Sequence, residues 1–226
     1  MLKFLFALAL VPLLATTTTT AAAAAVQAEA PSPVPAAAPP PAPAPKPETV
    51  RVALQTAMGP IVLELEKERA PITTANFLRY VDQKRLDGAV FYRATKVGTD
   101  GLGLIQGGVR NDPKRVLKPI AHEPTTKTGL SHVEGAISMA RAAPGSANGD
   151  FFITVGNFPS MDANPSQPGD NLGFAVFGRV VEGMDVVRKI LAAPTSPTEG
   201  EGVMKGQMLA PTIRIVSAKQ EAKPAS

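Results

Sequence analysis

Two short segments with alternating apolar and polar positions open the part of the chain that has a regular pattern. Residues 50, 52 and 54 and residues 61, 63 and 65 are all valine, leucine or isoleucine, and Ala-Met-Gly-Pro separates the two segments. An apolar side chain at every second position predicts a β-strand with one buried face, and a turn between two such strands predicts a hairpin. The folded part of the chain therefore begins with two antiparallel strands.

Two helices and several short strands follow the predicted hairpin. Apolar residues spaced three and four apart after Pro71 predict a helix over 71–85, and a second helix is predicted over 184–191. Short apolar segments separated by Gly, Pro and Asn predict strands at 90–96, 104–109, 136–141, 151–155, 174–181 and 213–216. Because closing a sheet removes its exposed edges, this pattern favours a mainly β fold, a closed antiparallel barrel.

The N-terminal part of the chain has a different composition. Lys3 precedes an apolar run over 4–15 and then small residues, which predicts a secretory signal peptide over 1–28. A retained anchor is the alternative, but spanning a bilayer takes about 20 apolar residues. Proline and alanine dominate 29–48, which predicts an extended linker. We therefore expect a periplasmic or secreted protein without a membrane span after cleavage, with a folded domain over 49–219 and a polar tail over 220–226.

Composition and motifs exclude several functions. The chain has a net charge of +4 and its basic residues are scattered, so nucleic acid is not an expected partner. It has no cysteine, and its two histidines, His122 and His132, have no second ligand at metal-binding spacing. We therefore expect loop or packing histidines and no metal. The segment GLGLIQ lacks the third glycine of a dinucleotide site, and no Gly-x-Ser-x-Gly motif supports a nucleophilic serine.

The remaining candidate for chemistry is Arg93, a permanent positive charge within a predicted strand. Pairing with a carboxylate is the ordinary structural role of such an arginine. Here, however, the segments FYRATKV with GLIQGG, GAISMARAAPGSANGDFFITV and FAVFGRVVEGMDVV occur in an order that resembles the cyclophilin family of peptidyl-prolyl isomerases, over residues 49–217. The resemblance implies an eight-stranded antiparallel barrel capped by two α-helices, with the proline site in a groove on its outer face. With the signal peptide, it implies an exported bacterial member.

The resemblance also implies roles for individual residues. Arg93 would contact the substrate proline as the catalytic donor, and Gln106 would orient Arg93 and the substrate backbone. An exposed strand at 140–142 would pair with the peptide, and other side chains would surround the proline ring. The substrate-binding residues implied in this way are Leu104, Ala140, Arg141, Ala142, Asp150, Phe152, Met161 and Phe174. The substrates would be proline-containing polypeptides, and no cofactor is expected because the reaction makes and cleaves no bond.

Several positions depart from the family's usual residues. Gly103 stands where phenylalanine is usual, Asp150 replaces a glutamine, and Phe174 replaces a histidine on the pocket rim. These changes leave two functions open: an isomerase acting on folding exported proteins, and a cyclophilin-like binding module or chaperone with weak or no isomerase activity. An ionised aspartate only accepts hydrogen bonds. Asp150 is therefore expected to favour peptides with a basic residue near the proline, unless it pairs with Arg141 or Arg93.

Overall fold

A computed structural model of the protein describes residues 47–222. The predicted signal peptide over 1–28 and all but the last two residues of the predicted linker over 29–48 lie outside the described residues, as do residues 223–226. The strands are β1 (Thr49–Thr56), β2 (Gly59–Glu66), β3 (Val90–Val97), β4 (Leu102–Gly108), β5 (Ala136–Met139), β6 (Phe151–Val155), β7 (Ala175–Glu182), β8 (Thr195–Ser196) and β9 (Met208–Glu221). The helices are α1 (Pro71–Asp82), α2 (Thr125–Thr128) and α3 (Met184–Ala192), with 3-10 turns at Pro159–Met161 and Gly202–Met204.

Eight of these strands form a closed barrel. Their order around the barrel is β1-β2-β7-β5-β6-β4-β3-β9, and β9 pairs with β1 to complete the ring. Every neighbouring pair is antiparallel. The two-residue β8 pairs with the beginning of β9 and is not part of the ring. The predicted closed eight-stranded antiparallel barrel is therefore confirmed.

Aromatic side chains form the centre of the core. The Phe77 ring of α1 lies 5.4 Å from Phe151 and 5.3 Å from Phe177, and Phe91 lies 5.7 Å from Phe151. All four rings are buried. Aromatic pairs at such distances stabilise a core beyond the burial of their area. The apolar face of α3 joins the same core through Val186, Val187, Ile190 and Leu191.

The first turn of α1 is fixed by a carboxylate from a distant segment. Glu123 is 1% exposed and accepts hydrogen bonds from the Thr73 N–H at 2.7 Å, the Thr73 hydroxyl at 2.6 Å and the Ile72 N–H at 3.2 Å. A carboxylate suits this place because the first N–H groups of a helix have no partner within the helix. The neighbouring His122 contacts the Leu172 carbonyl oxygen through Nε2 at 2.9 Å. This segment therefore ties α1 to the loop that precedes β7.

Several predicted element bounds differ from the structure. The last strand covers Met208–Glu221, where the sequence predicted only 213–216, so Gln220 and Glu221 lie in a strand and not in the expected polar tail. Pro211 interrupts the alternating pattern because proline has no N–H to donate and is uncommon inside strands. The predicted strand over 136–141 ends at Met139. The single turn of α2 was not predicted, because four residues show no helical period.

None of the helices within residues 47–222 is both long enough and apolar enough to cross a bilayer.

Candidate active site

A cleft of about 260 Å³ lies where β3, β4 and β6 meet the segments that follow β5 and precede β7. Eight of the ten site residues implied by the resemblance line it; the other two, Ala142 and Asp150, do not. Thr95, which the sequence did not single out, also contributes. The residues that line the cleft are Arg93, Thr95, Leu104, Gln106, Ala140, Arg141, Phe152, Met161 and Phe174.

Strand register brings the polar side chains of the cleft together. Arg93 of β3 lies opposite Gln106 of β4, and Gln106 lies opposite Phe152 of β6. Successive side chains of a strand point to opposite faces. Arg93 and Thr95 therefore face the cleft while Ala94 between them is buried in the core.

Gly103 has no room for a side chain. Its φ is +154°, and a Cβ atom would lie 2.0 Å from the Thr95 carbonyl oxygen of the neighbouring strand. This backbone does not accommodate the phenylalanine that the resemblance implies at this position. The neighbouring Leu104 contributes apolar surface to the cleft.

The Arg93 guanidinium is held by two neutral side chains. Its Nη1 donates to Gln106 Oε1 at 3.0 Å, and its Nε and Nη2 both donate to Gln207 Oε1, at 2.9 and 2.7 Å. Within residues 47–222 no carboxylate forms an ion pair with Arg93. Burial lowers the pKa of Arg93, but a guanidinium remains protonated in proteins. The cleft therefore contains a fixed cation whose charge is not neutralised by any acidic side chain in the described part of the chain.

Gln106 is oriented in turn by Tyr92 and Asp150. Gln106 Nε2 donates to the Tyr92 hydroxyl at 2.7 Å, and that hydroxyl donates to Asp150 Oδ2 at 3.0 Å. Asp150 Oδ1 accepts the backbone N–H of Arg110 at 2.8 Å. Burial, with a smaller contribution from Asp150, raises the pKa of the Tyr92 phenol. Asp150 is thus engaged with neither Arg141 nor Arg93, and it reaches Arg93 only through Tyr92 and Gln106.

Aromatic rings form the floor of the cleft. Phe152 is 4% exposed and meets Phe174 edge to face at 5.3 Å. The ring of His132 stacks on Phe152 at 5.8 Å, with 9° between the planes. His132 Nδ1 lies 2.5 Å from Asp162 Oδ1, and its Nε2 lies 3.1 Å from the Ser138 hydroxyl oxygen. Because Ser138 is 0% exposed, this Asp-His-Ser arrangement supports the floor and cannot present a nucleophile to a substrate.

Arg141 forms one wall of the cleft and is itself held in place. Its Nη1 and Nη2 donate to the two carboxylate oxygens of Asp170 at 2.8 and 2.9 Å, and its Nε donates to the Gly173 carbonyl oxygen at 2.9 Å. The guanidinium carbon lies 5.3 Å from the centre of the Phe174 ring, a cation–π distance. The hydrogen bonds from Arg141, with a smaller contribution from the Leu172 N–H, lower the pKa of Asp170 to about 2. The inserted segment ANPSQPGDN, which contains Asp170, is thereby fastened to the cleft.

The segment expected to pair with a peptide is only partly free to do so. The Ala140 N–H donates to the Asp150 carbonyl oxygen at 2.9 Å. The Ala142 N–H donates to the Ser146 hydroxyl oxygen at 3.1 Å. Residues 140–142 are not in a strand. Any pairing with an extended peptide would therefore use the remaining backbone groups of this segment.

A larger cavity lies elsewhere on the barrel, but its charged side chains are already paired and it is a weaker candidate for catalysis. It measures about 480 Å³ and includes Arg69 and Arg179, whose charges are paired with Glu66 and Glu64. In the described part of the chain, no group of three or more His, Asp or Glu side chains is placed to hold a metal ion. The cleft around Arg93 combines an unneutralised cation with an apolar floor, so it is the candidate active site.

Gln207 does not line the cleft but holds Arg93, and no feature of the sequence pointed to it. It lies 114 positions from Arg93, directly before β9. No motif or periodicity marks a glutamine in a glycine-rich loop, and only the closure of the barrel brings β9 beside β3. Tyr92 was also missed as a functional residue, although it is adjacent to Arg93.

Several known proteins are similar to this chain in sequence. The sequence model of the family "Cyclophilin type peptidyl-prolyl cis-trans isomerase/CLD" matches residues 51–220. A peptidyl-prolyl cis-trans isomerase of Acinetobacter baylyi is 36% identical over 149 residues, which are 64% of this chain and 73% of the relative. Peptidyl-prolyl cis-trans isomerase B of Escherichia coli is 33% identical over 147 residues, which are 64% of this chain and 85% of the relative.

A solved structure shows the same fold. The cyclophilin-type peptidyl-prolyl cis-trans isomerase of Cryptosporidium parvum superposes with a TM-score of 0.63 and 20% sequence identity, covering 78% of this chain and 100% of that chain. Sequence and fold therefore agree, and this chain belongs to the cyclophilin-type peptidyl-prolyl cis-trans isomerase family.

Proposed function

We propose that this peptidyl-prolyl cis-trans isomerase acts on polypeptides that fold outside the cytoplasm, and that Arg93 stabilises the twisted amide during rotation. The isomerase activity is that of its family. The proposal about Arg93 rests on one observation: among residues 47–222, only neutral acceptors hold its guanidinium, in a cleft with an apolar floor.

The reaction needs a positioned donor and no nucleophile. Rotation about an X-Pro bond breaks amide resonance, with a barrier of about 18–20 kcal/mol and uncatalysed times of tens to hundreds of seconds. In the twisted amide the proline nitrogen becomes pyramidal and regains a lone pair. A donor aimed at that lone pair binds the transition state better than the planar ground state.

Arg93 has donors left for this purpose. A guanidinium carries five N–H groups. Three of them are donated to Gln106 and Gln207. Within the described residues the other two, one on each Nη atom, have no acceptor. Arg93 can therefore be held rigidly and still donate to a substrate.

One preorganised donor can account for most of the rate acceleration that such an enzyme needs. Raising a rate of about one per hundred seconds to a typical enzymatic ten per second takes about 4 kcal/mol, at 1.36 kcal/mol per tenfold. One preorganised donor contributes about 2.7–4 kcal/mol in a water-excluded site. The pocket around the proline ring adds orientation to that contribution.

The apolar side of the cleft suits a proline ring. Leu104, Phe152, Met161 and Phe174 provide that surface next to Arg93. The cyclophilin-type isomerase of Cryptosporidium parvum has also been crystallised in the presence of the dipeptide Ala-Pro. We therefore assign a proline-containing segment of a polypeptide to this cleft.

The place of action is proposed from the sequence of the N-terminal part. The apolar run over 4–15 behind Lys3 has the composition of a secretory signal, and the linker over 29–48 would then follow the cleaved segment. The expected location is the periplasm or the exterior of a bacterial cell. Fractionation of cells expressing the full chain, with mass spectrometry of its N-terminus, tests this. A protein that remains in the cytoplasm with residues 1–28 intact contradicts it.

NMR exchange spectroscopy on a proline peptide tests the role of Arg93, because it reports binding and rotation separately. Arg93→Ala should lower kcat/KM roughly 30- to 900-fold. This corresponds to a loss of about 2–4 kcal/mol of transition-state stabilisation. Lys96→Ala is the matched control, since Lys96 is an exposed cation on the same strand outside the cleft. Near-full activity of a folded Arg93→Ala variant contradicts the proposal. A wild-type chain that binds the peptide without accelerating its rotation indicates a binding module instead.

A further inference from the structure

We infer that Gln207 is a positioning residue that aims Arg93 and, because it is neutral, leaves the charge of Arg93 available to the substrate. This inference rests on the proposed role of Arg93. It concerns a residue that lines no part of the cleft and that lies far from Arg93 in the sequence.

Gln207 holds the guanidinium more extensively than Gln106 does. Its Oε1 accepts from both Nε and Nη2 of Arg93, at 2.9 and 2.7 Å, whereas Gln106 accepts one N–H at 3.0 Å. Two hydrogen bonds from different nitrogens fix the rotation of the guanidinium plane, which a single bond cannot do. The pair of glutamines therefore determines where the two unused N–H groups of Arg93 point.

Gln207 is itself held before any substrate binds. Its backbone N–H donates to the Met204 carbonyl oxygen at 3.0 Å, and its carbonyl oxygen accepts the Ala94 N–H at 2.9 Å. The Thr95 hydroxyl donates to the same Oε1 atom at 2.8 Å. Because Ala94 and Thr95 directly follow Arg93 on β3, Gln207 and Arg93 are fixed to the same piece of strand. The site is thereby preorganised, as catalysis by a fixed donor requires.

The amide has a specific advantage over a carboxylate at this position. A carboxylate could accept the same three hydrogen bonds, but it would form an ion pair with Arg93 and oppose its positive potential. No carboxylate forms an ion pair with Arg93 among the described residues. The geometry therefore assigns two separable functions to Gln207: its oxygen immobilises Arg93, and its neutrality preserves the charge.

Two substitutions in the full chain separate these functions. Gln207→Leu removes the acceptor and should lower kcat by about ten- to one-hundredfold, with a smaller change in KM, because misplacing a catalytic group costs this much. Gln207→Glu keeps the acceptor, so Arg93 should stay ordered while kcat still falls. Gln220→Leu is the matched control: it makes the same change at an exposed site of β9 where Gln220 donates to Asp82.

A second readout does not depend on activity. The Arg93 Nε–H group gives an NMR signal, identified by its loss in Arg93→Ala, whose hydrogen exchange should be slow in the wild type and in Gln207→Glu. It should be fast in Gln207→Leu. Unfolding midpoints of all variants show whether any loss of kcat comes from loss of the fold.

The outcomes distinguish this inference from the proposed function. A folded Gln207→Leu variant with kcat within about twofold of the Gln220→Leu control, or with an unchanged Arg93 Nε–H exchange rate, overturns the positioning role. Full activity in Gln207→Glu overturns the role of neutrality. If the wild type has no isomerase activity, the proposed function fails, and the exchange rate of the Arg93 signal still decides whether Gln207 immobilises Arg93.

Discussion

Asp150 sets the direction of the hydrogen bonds that end at Arg93. A carboxylate only accepts, so the Tyr92 hydroxyl must donate to Asp150 Oδ2 across 3.0 Å. The Tyr92 oxygen then accepts from Gln106 Nε2 at 2.7 Å, which leaves Gln106 Oε1 facing Arg93 Nη1 at 3.0 Å. The orientation of the Gln106 amide therefore depends on a charge that does not touch the cleft.

Asp150→Asn perturbs this arrangement with almost no change in size. The Arg110 N–H keeps Oδ1 as its acceptor, so the new NH2 group faces the Tyr92 hydroxyl. Either the tyrosine proton loses its acceptor, or the Gln106 amide turns and presents its own NH2 to Arg93. A hydrogen bond to a charged group contributes about 1.5–3 kcal/mol. We expect Asp150→Asn to lose about 1–2 kcal/mol of transition-state stabilisation, which lowers kcat/KM about five- to thirtyfold.

The assay is exchange spectroscopy on an uncharged Ala-Pro peptide with the wild type, Asp150→Asn, Tyr92→Phe and the double variant. Tyr92→Phe removes the next group in the series, so Asp150→Asn should have little further effect in that background. Additive losses, or full activity of Asp150→Asn, would refute the reasoning. An altered preference between Lys and Glu peptides, with unchanged activity on the neutral one, would instead support direct contact between Asp150 and the peptide.

Two further predictions concern the floor and the wall of the cleft. Burial lowers the pKa of His132 more than Asp162 raises it. As the pH falls, the His132 imidazole therefore becomes protonated in the unfolded chain before it does so in the folded one. The free energy of unfolding should therefore fall as the pH decreases below about 6.5. Denaturant titrations at several pH values should show a weaker pH dependence of this free energy for His132→Asn than for the wild type. An equal pH dependence in the two proteins would contradict this. Asp170→Asn leaves the charge of Arg141 unneutralised, so the KM of Glu-Pro peptides should fall relative to that of Lys-Pro peptides at low salt. This difference should be smaller at high salt, where exposed charges are screened. An unchanged preference at low salt would show that Arg141 does not sense the peptide.

The sequence predicted the architecture because the barrel is encoded in short, local patterns. The first hairpin follows from alternation on both sides of one turn, and α1 begins at its predicted proline. Local patterns say less where a strand changes partners. β9 pairs with β8, β3 and β1 along its length and contains Pro211, so no single alternation runs through it. Its 14 residues were therefore predicted as four.

The site was predictable to the extent that its residues lie in recognisable segments. Arg93, Gln106 and Phe152 occupy adjacent strands, and the resemblance named all three. Gln207 could not be found in this way, because its role depends on a backbone hydrogen bond between β3 and the loop before β9. Asp150 shows a different limit: its position in the sequence was recognised, but which way its side chain points depends on Tyr92 and the Arg110 backbone.

The position of the one carboxylate in this network explains why the sequence can depart from the family there. Asp150 is separated from Arg93 by two side chains, Tyr92 and Gln106, and among the described residues it forms no ion pair with Arg93. The glutamine that the resemblance implies at position 150 can donate or accept, so it is compatible with either direction of the hydrogen bonds. An aspartate permits one direction only, the one that turns Gln106 Oε1 toward Arg93. Under the proposed role of Arg93, a carboxylate is tolerated at position 150, where it orients Gln106 through Tyr92, but not at 106 or 207, where it would form an ion pair with Arg93.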